Sequence, residues 1–97
     1  MNLETVFVET IEPSQVVEGK LIISERYNCC QHICPCGCGT RVVIPFIPGV
    51  EDRDNYWGYY KHDDGTVSLG PSIKNRGCKA HYYIKRNKIT DFSIEPT

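Results

Sequence analysis

The sequence predicts a mostly β fold, built as a small single domain of short antiparallel strands and hairpins. Short apolar runs alternate with turn residues along the chain, and no window of about 11 residues has the apolar spacing of a helix. The 97 residues leave room for one core, so we expect one domain over residues 1–97. The chain has six cysteines, three of them in one glycine-rich segment. They predict a bound metal ion that adds to the small folding free energy of so small a domain.

Three strands are predicted in the first half of the chain. Residues 3–8 alternate apolar and polar side chains, as a half-buried strand does. Lys20–Ser24 follows the turn residue Gly19 and is the second candidate. Residues 41–47 are apolar and β-branched. Pro45 within them predicts an edge position or a bulge, because proline lacks the N–H that a central strand donates.

Two hairpins are predicted in the second half. Asp63-Asp64-Gly65 is typical of a hairpin turn, with strands expected at residues 58–61 and 66–69. Arg86 and Asn87 separate the strands expected at residues 82–85 and 88–94. Between the two hairpins, we expect at most one helical turn at residues 71–75.

Composition and charge exclude several classes of protein. The formal net charge is −1 and the chain has no basic run, so nucleic-acid binding is not expected. No stretch approaches the roughly 20 apolar residues of a membrane-spanning helix. The acidic N-terminus lacks the features of a signal peptide. We therefore expect a cytoplasmic protein, whose cysteines serve a metal or catalysis rather than disulfides.

The segment Cys34-Pro35-Cys36-Gly37-Cys38-Gly39 is typical of a zinc knuckle. Zinc takes four ligands in a tetrahedron, usually two from each of two tight turns. Gly37 and Gly39 directly follow cysteines, where their tolerance of positive φ permits such a turn. The second knuckle is Cys78-Lys79-Ala80-His81. We favour one Zn²⁺ ion bound by Cys36, Cys38, Cys78 and His81.

The spacing leaves the fourth ligand open. Cys34 can substitute for His81, because three cysteines at alternate positions point the same way in an extended segment. With Cys78 they would form a four-thiolate site, and His81 would be free for other chemistry. Cys29 and Cys30 are adjacent and cannot easily chelate one ion together, so we expect them outside the site.

Several spaced motifs in the last two-thirds of the chain occur together. They are His32 with the cysteine–glycine segment, residues 43–45, Trp57, residues 66–69, Pro71-Ser72-Ile73-x-Asn75 and Cys78-x-x-His81-Tyr82-x-Ile84. In this order the motifs resemble a bacterial family catalogued as a domain of unknown function, DUF6527. Ala80 and Arg76 depart from it, since the family usually has a serine and an aromatic residue there.

Members of that family look like frequent neighbours of bacterial ubiquitin-like proteins and their E1- and E2-like enzymes. The resemblance therefore implies a role in a ubiquitin-like conjugation pathway. It also implies that the partners are the ubiquitin-like protein and its E1- or E2-like enzymes.

Within such a pathway, we favour a small peptidase that matures or removes the ubiquitin-like protein. A hydrolytic serine needs an adjacent base and hydrogen-bond donors for the oxyanion. Ser72 is the favoured nucleophile, and the alternatives are Ser68 or a cysteine outside the metal site. His81 is the base if Cys34 completes the metal site, and His32 is the base otherwise. The remaining histidine, His62, is expected to be an ordinary surface residue.

The alternative is a non-catalytic adaptor for the ubiquitin-like protein or its E1- or E2-like enzymes. A closed zinc site would then hold a β scaffold that presents aromatic and basic side chains, which interfaces favour. The aromatic candidates are Trp57, Tyr59 and Tyr60. The basic candidates are Lys74, Arg76, Lys79, Lys85, Arg86 and Lys88.

Overall fold

A computed structural model describes residues 2–48, 52–53, 56–75 and 77–94. Within these ranges the chain forms nine strands and one short 3-10 turn, Pro13–Gln15, and the mostly β prediction is confirmed. No helix in the described ranges is long and apolar enough to cross a membrane. The strands are β1 Glu4–Phe7, β2 Lys20–Ser24, β3 Cys29–Ile33, β4 Arg41–Pro48, β5 Asp52–Arg53, β6 Tyr56–Lys61, β7 Val67–Asn75, β8 Ala80–Lys85 and β9 Lys88–Ile94.

All nine strands belong to one hydrogen-bonded sheet. The order is β1-β2-β3-β4-β6-β7-β8-β9, and β5 pairs with β6 beside this path. The β1–β2 and β4–β6 pairs are parallel, whereas the others are antiparallel. A bridge between Asn2 and Lys88, with the Leu3 N–H donating to the Asn87 carbonyl at 2.6 Å, joins the two ends of the order. The sheet therefore curls until its edges meet.

The predicted turn residues end the strands where expected. The β8–β9 turn has positive φ at both central residues, 48° at Arg86 and 65° at Asn87, which suits the right-handed twist of a two-residue hairpin. Gly65, at φ 87°, ends the turn between β6 and β7. Pro45 lies where the β4 ladder pairs with β3, one residue before its pairing with β6 begins at Phe46. At Pro45, β4 is therefore not yet paired on its β6 side, and the missing proline N–H is tolerated there as it is on an edge strand.

Two segments differ from the sequence predictions. Cys29–Ile33 is a strand that was not predicted, although its side chains alternate between half-buried and buried. Two adjacent cysteines and a histidine hid this alternation. The helical turn expected at residues 71–75 is wrong, because β7 continues to Asn75, which pairs with Ala80 of β8. Strand pairing overrides the local turn preference there.

The core lies on the concave side of the curled sheet. Alternate residues of β7 and β8, Leu69, Ile73, Tyr82 and Ile84, are at most 3% exposed and belong to one buried cluster with residues of β2, β3, β4 and β6. The residues between them on these two strands therefore face outward. The outer face of β7 and β8 carries the serine and the histidine singled out from the sequence.

Candidate metal centre and serine–histidine pairs

Four cysteines from two distant turns converge at one end of β7 and β8. Their sulfur atoms all lie within 4.8 Å of one another, and Cys34 Sγ is 3.5 Å from the sulfurs of both Cys36 and Cys78. Cys34, Cys36 and Cys38 come from the β3–β4 turn, and Cys78 comes from the β7–β8 turn. Curling of the sheet brings these turns together.

Local backbone geometry aims the sulfurs inward. Gly37 and Gly39 have φ of 92° and 78°, as the knuckle prediction requires. The Cys38 N–H donates to Cys36 Sγ at 3.3 Å, which is the amide-to-sulfur contact of a zinc knuckle. Between the two turns, Asn75 Nδ2 lies 3.9 Å from Cys38 Sγ.

The cysteine geometry fits a tetrahedral ion. Zinc binds thiolate sulfur at about 2.3 Å, which in a tetrahedron separates the sulfurs by about 3.8 Å. The observed 3.5 Å contacts and the 4.8 Å upper limit bracket that value. The four side chains can therefore hold a metal ion without rearrangement of the backbone.

The thiols of this cluster perturb each other's protonation. Hydrogen bonds with Cys78 and Cys38 raise the pKa of Cys36 to about 12. Hydrogen bonds with Thr40 lower the pKa of Cys38 to about 6. Burial raises the pKa of Cys34, which is 1% exposed. Four thiolates this close together repel one another, so a divalent cation at their centre would be needed for all of them to ionise.

His81 lies near the cysteine cluster but is not part of it. Among the described residues, the group of metal-capable side chains contains Cys34 and does not contain His81. On β8, His81 pairs with Lys74 of β7 and with Ser93 of β9. Its ring centroid lies 5.8 Å from that of Tyr83 on the same outer face. The geometry thus favours the open alternative, Cys34, over the preferred ligand His81.

Ser72 lies in a bulge of β7. Leu69 pairs with Ile84 and Ile73 pairs with Tyr82. Between these two pairs the chain advances by four residues in β7 but by only two residues in β8. Ser72 directly precedes Ile73 and is partly exposed. Because Lys74 pairs with His81, Ser72, which is two residues before Lys74, is a diagonal neighbour of His81. Such neighbours are roughly 7–8 Å apart at the backbone, a distance that an aromatic side chain such as that of histidine can span. Bulges re-aim side chains in this way beside active sites.

A second serine–histidine pair was not predicted. His62 Nε2 and Ser68 Oγ are 2.7 Å apart, across the hairpin between β6 and β7. The Arg86 N–H also donates to Ser68 Oγ at 3.0 Å. His62 was expected to be an ordinary surface residue, yet the hairpin register makes it a diagonal neighbour of Ser68, because His62 pairs with Thr66. That register was the signal available in the sequence.

His32 is a core residue and does not reach solvent. Its side chain is fully buried, with Nε2 2.5 Å from the Tyr82 hydroxyl, while Nδ1 has no partner among the described residues. Burial lowers the pKa of His32 to about 4, so the ring is neutral at physiological pH. It cannot contact a substrate, which leaves it unsuited to serve as the alternative base.

The remaining candidates have mixed positions. Cys30 is fully buried in the core and Cys29 is half-buried, and both lie outside the four-cysteine group. Tyr59 is buried and stacks on Phe46 with centroids 4.2 Å apart, so it cannot contribute to an adaptor surface. Tyr60 is 54% exposed. The Trp57 side chain and Arg76 lie outside the described residues.

Comparison with known proteins places these features in a family. Neither the curated proteins nor the solved structures gave a match. One family model matches residues 7–92, which is most of the chain, and its description is bacterial ubiquitination-like system serine protease (BubE). The match agrees with the ubiquitin-like context that the sequence resemblance implied, but it names a serine protease rather than a domain of unknown function. The chain belongs to this family of bacterial ubiquitination-like system serine proteases.

Proposed function

We propose that the protein is a peptidase that cleaves a ubiquitin-like protein from its precursor or its conjugates, with Ser72 as nucleophile and His81 as base. The observation that carries this proposal is that Cys34, and not His81, completes the group of four sulfurs. His81 is then released from metal binding and can accept a proton. The family description supports the reaction class.

The chemistry needs only these two side chains and hydrogen-bond donors. Ser72 Oγ attacks the carbonyl carbon of the scissile bond while His81 takes the hydroxyl proton. His81 then gives that proton to the leaving amine, and an acyl ester remains on Ser72. A water molecule, deprotonated by His81, hydrolyses the ester and regenerates the serine. The bulge in β7 supports this role, because extra residues there interrupt the ladder around the attacking oxygen.

The metal in this proposal is a structural Zn²⁺ held by Cys34, Cys36, Cys38 and Cys78. Four thiolates leave no open coordination position for water, so the ion would supply rigidity and not a nucleophile. It would tie the β3–β4 turn to the β7–β8 turn, three residues before His81. The positions of Ser72 and His81 would then depend on the ion without contacting it.

The competing nucleophile is Ser68, which already contacts His62. Its oxygen also accepts the Arg86 N–H, so the hydroxyl helps to hold the β7 end of one hairpin against the turn of the other. We therefore assign Ser68 and His62 to structure. The pair still supports the proposal, since it is an example in this sheet of a diagonal serine and histidine that reach hydrogen-bond distance.

The test is cleavage of a ubiquitin-like precursor or conjugate by matched alanine variants. Ser72→Ala should keep the fold and the zinc but lower the cleavage rate by at least about a thousandfold, because the attacking oxygen is lost. Ser68→Ala, on the same strand, should stay within a few-fold of wild type. The opposite pattern would transfer the nucleophile to Ser68. A wild-type protein that binds the partner but never cleaves it would favour the adaptor.

A further inference from the structure

A cavity of about 780 Å³ opens on the outer face of β6, β7 and β8. Its volume lies in the range of about 300–1,000 Å³ that is typical of ligand sites. Gly58 and Gly70 both line it and are directly paired across β6 and β7. Because their neighbours Tyr59 and Leu69 face the core, this glycine pair faces outward.

The paired glycines give the cavity a floor of bare backbone. Glycine within a strand often marks a place where a ligand or another backbone approaches closely. Gly70 is two residues from Ser72, a span of at most about 7 Å. Ser72 does not line the cavity, but Gly70, the lining residue nearest to it along β7, is within this span of it, and Tyr60 forms a wall.

Two cationic side chains line the far end of this groove. Lys85 is next to Ile84 in β8, and its ammonium group lies 5.0 Å from the centroid of the Tyr83 ring. Arg86 is 3.7 Å from the Asp64 carboxylate, but both groups are about 60% exposed, so this ion pair is weak and can yield to another anion. The groove thus combines a glycine floor with a positive end.

We propose that this groove binds an extended segment of the substrate polypeptide with a carboxylate about four residues from the bond that is cleaved. Ser68, beside the cationic end, is four residues from Ser72, at most about 14 Å of extended chain. The inference rests on the proposed function, because the distance to the cleaved bond is counted from Ser72. The carboxylate belongs either to an acidic side chain or to a free C-terminus.

Binding to the inactive Ser72→Ala protein tests the groove independently of catalysis. The probe is a blocked octapeptide of glycine and serine with one central glutamate, compared with its glutamine counterpart. A third peptide combines glutamine with a free C-terminal carboxylate. Amide chemical shifts in NMR spectra of labelled protein report the affinity and the location. We expect at least tenfold tighter binding of one carboxylate peptide than of the neutral one, with shifts at Gly58 and Gly70.

Two variants locate the carboxylate. Lys85→Ala and Arg86→Asn, which respects the positive φ at that turn, should each reduce the preference at least threefold. Lys88→Ala, in the next strand and outside the cavity lining, is the matched control and should not. Equal binding of all three peptides, or shifts confined to other surfaces, overturns the proposal. Groove binding without any cleavage by wild type would instead reject the peptidase and retain the groove.

Discussion

Strand β7 carries an outward-facing serine at each end of its bulge, and each serine has a histidine as its diagonal neighbour. His81 belongs to β8, and His62 directly follows the end of β6. At one end, Ser68 Oγ and His62 Nε2 are 2.7 Å apart within a single hairpin, and the two residues are six positions apart in the sequence. At the other end, Ser72 and His81 flank the turn that carries Cys78.

The two ends differ in what holds them. The first depends only on a local turn, in which Asp64 accepts hydrogen bonds from the Thr66 N–H and hydroxyl. The second depends on cysteines more than forty residues apart, whose thiolates repel one another unless a cation is bound. A local hairpin needs no cofactor, whereas a site between distant turns depends on whatever joins them. Removal of the metal should therefore affect His81 more than His62.

The largest expected effect is that of losing a metal ligand. Cys78→Ser should lose zinc and solubility. The apparent binding free energy of a structural Zn²⁺ ion is about 10–16 kcal/mol, and it is coupled to folding. Elemental analysis of protein purified without added metal should give about one zinc per wild-type chain. Circular dichroism should show loss of structure in the variant.

The control for this experiment is Cys29→Ser. Cys29 is half-buried in β3 and outside the four-cysteine group, so its replacement should leave the metal in place. Zinc loss from Cys29→Ser would contradict the division of the six cysteines. Iron with visible absorbance, or a folded wild-type protein without metal, would contradict the zinc assignment.

The next effect separates the two histidines. His81→Ala should remain folded and zinc-loaded while cleavage falls about a hundredfold or more, because general-base catalysis contributes about 10²–10⁴. His62→Ala removes the contact with Ser68 and should change cleavage only a few-fold. Zinc content, thermal stability and cleavage rate are measured on both proteins. A metal-poor, unstable His81→Ala protein would return His81 to the ligand set, and equal losses of activity would remove the distinction between the two ends.

Strands with a simple alternation and clear turn residues were predictable from the sequence. Lys20–Ser24 begins directly after Gly19 and matches its predicted bounds, and the turn at Arg86 and Asn87 matches as well. Strand β3 was missed because Cys29, Cys30 and His32 have side chains that suggest chemistry as readily as packing. The strand through residues 71–75 was missed because its pairing with β8 is a long-range interaction.

The site was predictable only to the level of residue types. Glycines after cysteines identified the first turn of the cluster, and the spacing of Cys78 and His81 identified the second. Spacing could not choose between Cys34 and His81, because both are near enough along the chain and only the curl of the sheet decides which side chain converges. The contact of His62 with Ser68 was missed because it needs the register of a formed hairpin.

The smallest expected effect is on stability, and it is measured by replacing the buried tyrosines beneath the two ends of β7. Tyr82 lies next to His81 and its hydroxyl is 2.5 Å from Nε2 of the fully buried His32, whose Nδ1 has no partner among the described residues. Tyr82→Phe would leave that buried ring with no hydrogen bond to any residue that the structure describes. An unsatisfied buried polar group costs about 1–3 kcal/mol, and we expect unfolding in urea to report a loss in that range.

Tyr59 is the matched buried tyrosine beneath the Ser68 end of β7. The informative quantity is the difference between the losses of unfolding free energy caused by the two substitutions. Its hydroxyl donates to the Glu25 carboxylate at 3.0 Å, and that carboxylate also lies 3.8 Å from the Lys61 ammonium group. Tyr59→Phe leaves Glu25, a partly exposed group, free to bind water, so its cost should be at most about 1 kcal/mol. Zinc content should be unchanged in both variants, which separates packing from metal loss. A larger loss for Tyr59→Phe than for Tyr82→Phe would mean that the Ser68 end, and not the end beside the cysteines, depends more on buried polar contacts.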